Sequence, residues 1–343
     1  MLRIALLLIF SCFCASAQIH LPNTLSPRAT ISQRVSVTDL SIDYGRPSVR
    51  DRKVFHDVVP MGQLWRAGAD ENTVFTCSTP VSINGQALPA GRYGLHMIPN
   101  ERQWTLVFSK DADAWGSYFY NKANDAARVT VSPAVSEHTE LLTYDVPDVS
   151  ASSATIRLRW ATVAVSFTVS VDNVATVETS LRKQLSGLAG FSSDNWVQAC
   201  QWLIRNKASK ASIAEFANFV STRFNPTFST MTLKAEIAGM EGNVEQANNL
   251  RVKACEMGTN AEINAYGYTL LQSGNASGAV AVFTVNAKRY PEDPNTWDSL
   301  GEALATAGDI AAAKVNFSKA LSMNPSPEVR ANSEMWLKKL ESQ

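Results

Sequence analysis

The chain has 343 residues, and its 31 Lys and Arg residues balance 31 Asp and Glu residues, so the formal net charge is zero. This balance argues against a nucleic-acid-binding protein, which needs a basic surface to neutralise phosphates. With 45% hydrophobic and only 18% charged residues, the chain can form buried cores and is not intrinsically disordered. Its length suggests about two domains.

The first seventeen residues have the pattern of a secretory signal peptide: a positive start at Arg3, an apolar run and small residues before a cleavage point. The run from Ile4 to Phe10 is too short to cross about 30 Å of hydrocarbon, and no other stretch predicts a membrane span. Cleavage after Ala15-Ser16-Ala17 predicts an exported protein, periplasmic or extracellular. A lipid anchor at Cys12 or Cys14 is the alternative.

From about residue 26 to residue 172 the hydrophobic pattern alternates with a period of two, as in half-buried strands. The alternation is clearest from Ile156 to Trp160 and from Val163 to Val171. Asn84-Gly85 predicts a tight hairpin, because these residues accept positive φ at both central positions of a turn. Several short strands separated by regular turn signals predict an all-β antiparallel sandwich or open barrel, which we assign to residues 18–172.

Several motifs in this half stand in a recognisable order along the chain. They are Ser26-Pro27-Arg28, Asp43-Tyr44-Gly45-Arg46-Pro47, Val59-Pro60-Met61-Gly62-Gln63-Leu64-Trp65-Arg66-Ala67-Gly68-Ala69, Leu88-Pro89-Ala90-Gly91-Arg92-Tyr93-Gly94, Trp115-Gly116-Ser117-Tyr118 and Asp125-Ala126-Ala127-Arg128-Val129. Over about residues 26–170 they resemble an uncharacterised family, the domain of unknown function 2911. The resemblance implies an exported bacterial protein, in some members with helical repeats behind the same domain. Because the family has no established activity, the resemblance implies no catalytic residue.

Three positions depart from the pattern of that family. Asp51 precedes Arg52 where the pattern has Gly, His56 follows Phe55 where the pattern again has Gly, and Asp70 stands in place of Asn. Glycine adopts backbone conformations that other residues avoid. Its loss at positions 51 and 56 therefore raises the question of whether these loops keep their usual conformation.

Beyond Asp172 the hydrophobic period changes to that of an α-helix, and Gly and Pro become rarer. We expect a linking helix within residues 173–193 and helical repeats over residues 194–343. The best copies, residues 260–293 and 294–327, share Gly, Ala, Phe and Pro positions that resemble the tetratricopeptide repeat. Two poorer copies precede them. The sequence thus predicts an all-α tetratricopeptide-like solenoid, with a generic helical bundle as the alternative.

The packing of these repeats is expected to depend on small and large residues at fixed positions. Gly267 and Gly301 would let the first helix of each repeat approach the second closely. Phe283 and Phe317 would fill the gap between successive repeats.

No motif in the sequence indicates catalysis. Cys77, Cys200 and Cys255 match no zinc pattern, although a Cys200–Cys255 bridge is left open. The histidines show no metal-ligand spacing, which leaves only a metal site assembled in space from His56, His96 and an acid. There is no phosphate loop, dinucleotide fingerprint or nucleophile elbow. We therefore predict no catalytic residue, no metal and no cofactor.

A set of polar and aromatic residues in the turn-rich motifs is the best candidate for a ligand site. Such a cleft would offer a guanidinium group to a carboxylate, phosphate or sugar hydroxyl between aromatic walls. The favoured interpretation is structural instead: Arg66 pairs with Asp70, Glu71 or Asp43 and fastens loops. The ligand-binding candidates are Tyr44, Arg46, Arg66, Asp70, His96, Trp115 and Tyr118.

The leading functional hypothesis is a non-enzymatic binding or scaffolding protein that holds a protein or peptide partner in the concave groove of its repeats. A small ligand at the β domain is left open. The alternative is an envelope hydrolase with its site in the β domain, which requires two proton-transfer groups about 3 Å apart in a pocket. In a third hypothesis the repeats only stabilise the β domain.

Overall fold

A computed structural model describes residues 25–341, so the predicted signal peptide and the lipid-anchor alternatives Cys12 and Cys14 lie outside the described residues. The chain divides into two compact units, one ending at Thr176 and the other beginning at Val177. The first is built of antiparallel strands and the second of helices, which confirms the predicted fold class. Between residues 25 and 341, no helix combines the length and apolar character needed to cross a bilayer.

The β unit consists of two antiparallel sheets. The larger sheet has the strand order β1-β2-β3-β6-β7-β8, and the smaller sheet has the order β5-β4-β10-β9. The strands are β1 (Arg28–Val35), β2 (Thr38–Gly45), β3 (Val74–Cys77), β4 (Val81–Ile83), β5 (Gln86–Leu88), β6 (Gly91–Ile98), β7 (Trp104–Ser109), β8 (Asp125–Val131), β9 (Ala134–Val149) and β10 (Ser153–Ser170). The predicted Asn84-Gly85 hairpin joins β4 to β5.

Both sheets contribute to one hydrophobic core. Phe75 on β3 and Phe108 on β7 belong to the larger sheet, and Phe167 on β10 belongs to the smaller one. Their ring centroids are 5.3, 5.9 and 6.4 Å apart, mostly edge to face, as aromatic quadrupoles favour. All three side chains are fully buried, so the two sheets share a single packed interior.

The two alternating runs near the end of the β half form one long strand, β10. Before Ala161 the buried residues have even numbers, such as Leu158 and Trp160; after it they have odd numbers, such as Val165 and Phe167. The register against β9 shifts at Ala161, where φ is +51°. On each side of Ala161 two residues of β10 face four residues of β9, and the left-handed conformation of Ala161 breaks the alternation of β10.

The helical unit contains the helices α1 to α10, most of which form consecutive antiparallel pairs. They are α1 (Asn173–Leu185), α2 (Ser193–Arg205), α3 (Lys210–Arg223), α4 (Phe228–Met240), α5 (Val244–Met257), α6 (Asn260–Gln272), α7 (Ala276–Arg289), α8 (Pro294–Thr306), α9 (Ile310–Ser322) and α10 (Pro327–Glu341). A short turn of helix, Leu188–Phe191, lies between α1 and α2. The starts of α6 and α8 are 34 residues apart, the predicted period.

The glycines expected to allow close helix packing do so. A Cβ atom built on Gly267 would lie 2.4 Å from the ring of Phe283, and one on Gly301 would lie 2.9 Å from the ring of Phe317. Each phenylalanine therefore packs on the glycine of its own repeat. The Phe317 ring also stacks on Trp336 of α10, with ring centroids 6.1 Å apart, so it contacts the helix that follows its repeat as well, as the sequence predicted.

Successive repeats are also joined by polar contacts. Ser299 Oγ on α8 donates to Asn264 Oδ1 on α6, at 3.0 Å. The buried carboxylate of Asp298 on α8 accepts hydrogen bonds from Asn332 and Ser333 on α10. Burial raises the pKa of Asp298, and these two hydrogen bonds oppose that effect. Buried polar side chains of α8 thus find their partners in the helices one repeat before and one repeat after it.

The three cysteines predicted to remain in the mature chain are free and buried. Cys200 and Cys255 therefore form no bridge, which settles the alternative left open by the sequence. Burial raises the pKa of Cys200 to about 12 and that of Cys255 to about 11, so both are protonated thiols at neutral pH. They serve as small apolar core residues.

Candidate functional site

A groove of about 1030 Å³ crosses the helical unit along α2, α4 and α6 and is bordered by α5. Its lining combines uncharged polar groups with an aromatic ring and charged side chains. The residues that matter for binding are Gln198, Arg205, Thr232, Glu236, Arg251 and Tyr266.

The charged groups of this groove are only partly satisfied. Glu236 is half-buried and makes no hydrogen bond or ion pair with any residue between 25 and 341. Burial raises the pKa of Glu236, and the nearby Arg205 and Arg251 act against that rise. Arg251 is 5% exposed, its Nη1 donates to Asn248 Oδ1 at 2.7 Å, and its Nε has no partner.

Two other acids of the groove are already engaged. Asp194 accepts a hydrogen bond from Ser229 Oγ at 2.6 Å. Glu262 accepts from the Thr259 backbone N–H at 2.8 Å in a capping box at the start of α6. These hydrogen bonds come from neutral donors and leave both carboxylates ionised, so the whole lining carries three acids and two arginines. Positive charge is in excess only locally, where Arg205 and Arg251 lie near the single carboxylate of Glu236.

A second cavity, of about 420 Å³, lies in the β unit. Its wall includes Trp65, Arg66, Ser117, Tyr118 and Trp160. It therefore combines one cationic group, two hydroxyls and three aromatic rings, the composition expected of a site for a small polar ligand.

Arg66 is held by a rigid segment of backbone. The preceding residue, Trp65, exchanges two backbone hydrogen bonds with Met97 on β6, at 2.8 and 2.7 Å. The following residue, Ala67, is fully buried with φ at +53°, and its carbonyl accepts a hydrogen bond from the Tyr144 hydroxyl at 3.0 Å. Fixed backbone on both sides therefore positions the base of the arginine side chain.

The guanidinium group of Arg66 lies against Gly116, where a Cβ atom would stand 2.5 Å from Nη1. Gly116 also has φ at +58°, a conformation that favours glycine. Within the described chain, Arg66 forms neither a hydrogen bond nor an ion pair, and its Nε is buried. The expected pairing with an acid is therefore corrected: Asp43 and Glu71 bind Arg28 instead.

His96 contacts the same cavity through Ser117, since its Nδ1 lies 3.1 Å from the serine Oγ. The histidine is 2% exposed. Burial lowers the pKa of His96 to about 4; Asp125 and Asp111 oppose this, and Arg66 adds to it. The ring is therefore neutral at neutral pH and can orient the hydroxyl without adding charge.

The other residues singled out from the sequence have different surroundings. Tyr44 is buried against Tyr144, with ring centroids 4.8 Å apart, and its hydroxyl accepts from the Tyr144 backbone N–H. Arg46 donates to the Leu142 carbonyl at 3.0 Å and to Thr143 Oγ1 at 2.9 Å, which ties the end of β2 to β9. Neither side chain lines the cavity of Arg66.

Trp115 and Tyr118 are 52% and 80% exposed, and of the two only Tyr118 lines the cavity. Asp70 has φ at +62°, and Asp51 has φ at +56°. Asp and Asn adopt this left-handed conformation more readily than most residues. The loop at position 51 thus keeps a glycine-like conformation without glycine, and Asp70 preserves the conformation that Asn would adopt.

Trp65, Ser117 and Trp160 are site residues that the sequence reasoning did not select. Ser117 and Trp65 belong to two of the motifs that resemble the DUF2911 family. Those motifs were the sequence signal that could have identified both residues. Trp160 belongs to an alternating run that indicates a core position, and it is indeed 1% exposed. Among the described residues, no group of three or more His, Cys, Asp and Glu side chains could hold a metal ion.

Comparison with known proteins gives one family match, over residues 26–169, to a family described as "Protein of unknown function (DUF2911)". No curated protein matches the chain. Among solved structures, the C-terminal part of a TPR repeat-containing protein from Cytophaga hutchinsonii shares 14% identity and covers 49% of this chain and 73% of its own, with a TM-score of 0.31.

Two further solved structures also match. YrrB, "a TPR protein with an unusual peptide-binding site", shares 13% identity over 48% of this chain and 84% of its own, with a TM-score of 0.27. SycD, the type III secretion translocator chaperone of Yersinia enterocolitica, shares 16% identity over 41% of this chain and 96% of its own, with a TM-score of 0.24. The β unit thus matches the DUF2911 family over residues 26–169. The helices that follow it resemble tetratricopeptide repeats in the 34-residue spacing of α6 and α8.

Proposed function

We propose that this chain is an exported, non-enzymatic binding protein whose groove along α2, α4 and α6 holds an extended peptide segment of a partner protein, with an acidic side chain of that segment at Arg205 and Arg251. The observation that carries the proposal is the incompletely paired charge in that groove, with a buried Arg251 whose Nε has no partner. Export is supported by the signal-peptide pattern of the first seventeen residues.

The dimensions of the groove suit a short extended peptide. Its lining comes mainly from three helices, each the first of its pair. Packed helices lie about 8–10 Å apart, so three of them span about 20 Å. An extended chain rises about 3.3 Å per residue, which gives room for about six residues.

The uncharged lining offers partners to a peptide backbone, in which each residue exposes one N–H and one C=O group. Gln198 and Gln201 on α2, Thr232 on α4 and Thr269 on α6 supply amide and hydroxyl groups along the groove. Tyr266 adds an aromatic surface for a peptide side chain. These contacts favour an extended peptide over a second folded helix.

The two arginines of the groove favour a peptide that carries an acidic residue. Arg205 is exposed at the groove and forms no hydrogen bond with any residue the structure describes, and Arg251 is nearly fully buried. A single peptide carboxylate between them would balance the local positive charge that Glu236 leaves at this end of the arginine pair. Hydrogen bonds between ionised partners are the stronger ones, so the arginines would contribute much of the specificity.

We expect peptides of about six residues that carry an acidic side chain to be enriched when a random peptide library is selected on the full chain, and Arg205→Gln to weaken their binding about tenfold. Isothermal titration calorimetry measures the change. Arg223→Gln on α3 is the matched control, because that arginine is also exposed but does not line the groove, and it should leave the affinity unchanged. Enriched peptides without acidic residues, or equal effects of the two variants, would contradict the proposal.

One observation favours a hydrolase with its site in the β unit: His96 and Ser117 lie within hydrogen-bond distance beside the cavity. The electrostatics oppose this function. A general base works best with a pKa near the operating pH, whereas burial lowers the pKa of His96 to about 4. In the described chain no acidic side chain is hydrogen-bonded to its other ring nitrogen, as a catalytic triad would require.

The two functions differ in the reactivity of Ser117. We expect a fluorophosphonate to label Ser117 no faster than other exposed serines, because a neutral histidine with a low pKa does not activate the hydroxyl. Peptide mapping by mass spectrometry gives the rate. Rapid labelling of Ser117 that disappears in His96→Gln would establish the hydrolase instead.

A further inference from the structure

We propose that the Arg66 cavity of the β unit binds a small organic acid, namely a carboxylate carried on a ring. This site is separate from the peptide groove, and no comparison assigns a ligand to it. The inference rests on unpartnered donors, a preformed position for the guanidinium group and aromatic walls.

Two buried donors on this one cavity have no acceptor. Arg66 Nε and Trp160 Nε1 are among the buried polar atoms that lack a hydrogen-bond partner in the described chain. Both residues line the cavity, and Trp160 is 1% exposed. Most buried polar groups in proteins are satisfied, so two unsatisfied donors beside one cavity are unusual. Both atoms are closed off from solvent, so the donors that an incoming acceptor can reach are the terminal nitrogens of Arg66.

The terminal nitrogens of Arg66 are equally free of protein acceptors, although an ion pair is the usual partner of a half-buried arginine. Two of the three acids proposed from the sequence as partners, Asp43 and Glu71, are bound to Arg28. A planar guanidinium group matches a carboxylate through two parallel hydrogen bonds. The ligand that completes this arginine is therefore an oxyanion.

The arginine is preorganised for such a ligand. The backbone hydrogen bonds between Trp65 and Met97 fix the chain just before Arg66. The contact with Gly116 fixes the position of the guanidinium group. A side chain at position 116 would occupy the space that Nη1 uses. Because little side-chain entropy remains to be lost, binding costs less than at a mobile surface arginine.

The walls of the cavity favour a ring as the body of the ligand. Trp65 and Trp160 are stacked, with ring centroids 5.8 Å apart and planes 20° from parallel. Tyr118 also lines the cavity and is 80% exposed, which makes its ring available to stack on a ligand. The volume of about 420 Å³ falls within the usual range for small-molecule sites.

Ser117 supplies a further polar contact. Its hydroxyl is held by His96 Nδ1 at 3.1 Å, and it faces the cavity that Arg66 lines. A hydroxyl both donates and accepts, so it can bind a carboxylate oxygen or a hydroxyl on the ring. Arg66 remains the one cationic residue among those that line this cavity.

The test uses three probes on the full chain: benzoate, benzamide as its neutral analogue, and acetate as a carboxylate without a ring. NMR titration that follows the tryptophan indole N–H signals measures binding. We expect benzoate to shift the Trp160 signal and to bind at least tenfold more tightly than either benzamide or acetate. Arg66→Gln should weaken benzoate at least tenfold, and Arg66→Lys should restore only part of that loss because lysine lacks the planar fork.

Two control variants distinguish a loss of binding at this cavity from a general loss of charge or of folding. Arg102→Gln changes an exposed arginine of a different cavity in the same unit and should leave benzoate binding unaltered. Tyr118→Ala removes an exposed ring, so it should weaken benzoate relative to acetate without unfolding the unit, even where Arg66→Gln fails to fold. Equal binding of benzoate and benzamide, or benzoate binding that survives both Arg66→Gln and Tyr118→Ala, would overturn the proposal. Neither result would bear on the peptide groove.

Discussion

Replacing Phe283 by alanine is expected to lower the free energy of unfolding of the helical unit by about 3–5 kcal/mol. The ring is fully buried and packs on Gly267 of its own repeat, so the truncation loses apolar contacts and leaves a cavity. Denaturant unfolding followed by circular dichroism at the helical wavelength measures the change. Phe191→Ala is the matched control, because that ring is 83% exposed and its loss should cost less than about 0.5 kcal/mol.

A double-mutant cycle with Gly267→Ala tests the contact itself. In the single variant, the methyl group added at position 267 would lie 2.4 Å from the Phe283 ring. We expect this variant to lower the free energy of unfolding by about 1–3 kcal/mol. In the Phe283→Ala background the same change should be neutral or stabilising by about 0.5–1 kcal/mol, because alanine favours helix and the space is then free. Strict additivity of the two substitutions would show that the repeat is not packed through this pair.

The β unit is expected to lose about 3 kcal/mol of stability as the pH falls from about 6.5 to about 4, on account of His96. Burial lowers the pKa of this histidine to about 4 in the folded unit, whereas an unfolded chain has the ordinary value near 6.5. Between these two values the unfolded state binds the extra proton, so stability is complete above pH 6.5 and declines below it. Each pKa unit corresponds to about 1.4 kcal/mol.

Hydrogen exchange of peptides from β6 and β7, measured from pH 7.5 to pH 4, reports the stability of the β unit alone. His96→Gln should flatten the dependence over this interval, since its amide does not titrate. His138→Gln should leave the dependence intact, because that histidine is exposed beside Glu140. If the wild type and His96→Gln showed the same pH dependence, the loss of stability in acid would come from carboxylates, and the prediction for His96 would be wrong.

Local patterns of apolar and small residues predicted much of the fold. Alternation of apolar residues identified β10 and the hairpin around Asn84-Gly85, and the spacing of Gly267 and Phe283 identified the repeat, because strand and helix periods are set by the backbone itself. The reversal of faces at Ala161 could not be predicted in this way. Such a shift of register is fixed by pairing with a strand elsewhere in the chain, in this case β9.

The candidate site was anticipated only in part. Arg66 and Tyr118 were selected from their motifs, and the structure places both at one cavity, but Tyr44 and Arg46 proved to be tied to β9 and its neighbours. The arginine was expected to pair with an acid close in sequence. Arg28, which lies far from Glu71 along the chain, binds that acid instead. Which of several distant residues binds a given partner is decided by the fold, so it cannot be predicted from local composition.

The sequence by itself determined the two-part organisation, the strand-rich first half and the repeat period, because each depends on residues near one another in the chain. The tertiary structure decided which polar groups are left without partners. Arg66, Trp160 and Arg251 are distinguished only by what surrounds them after folding. Hydrogen-bond satisfaction depends on every neighbouring residue at once, and that is a property of the packed molecule.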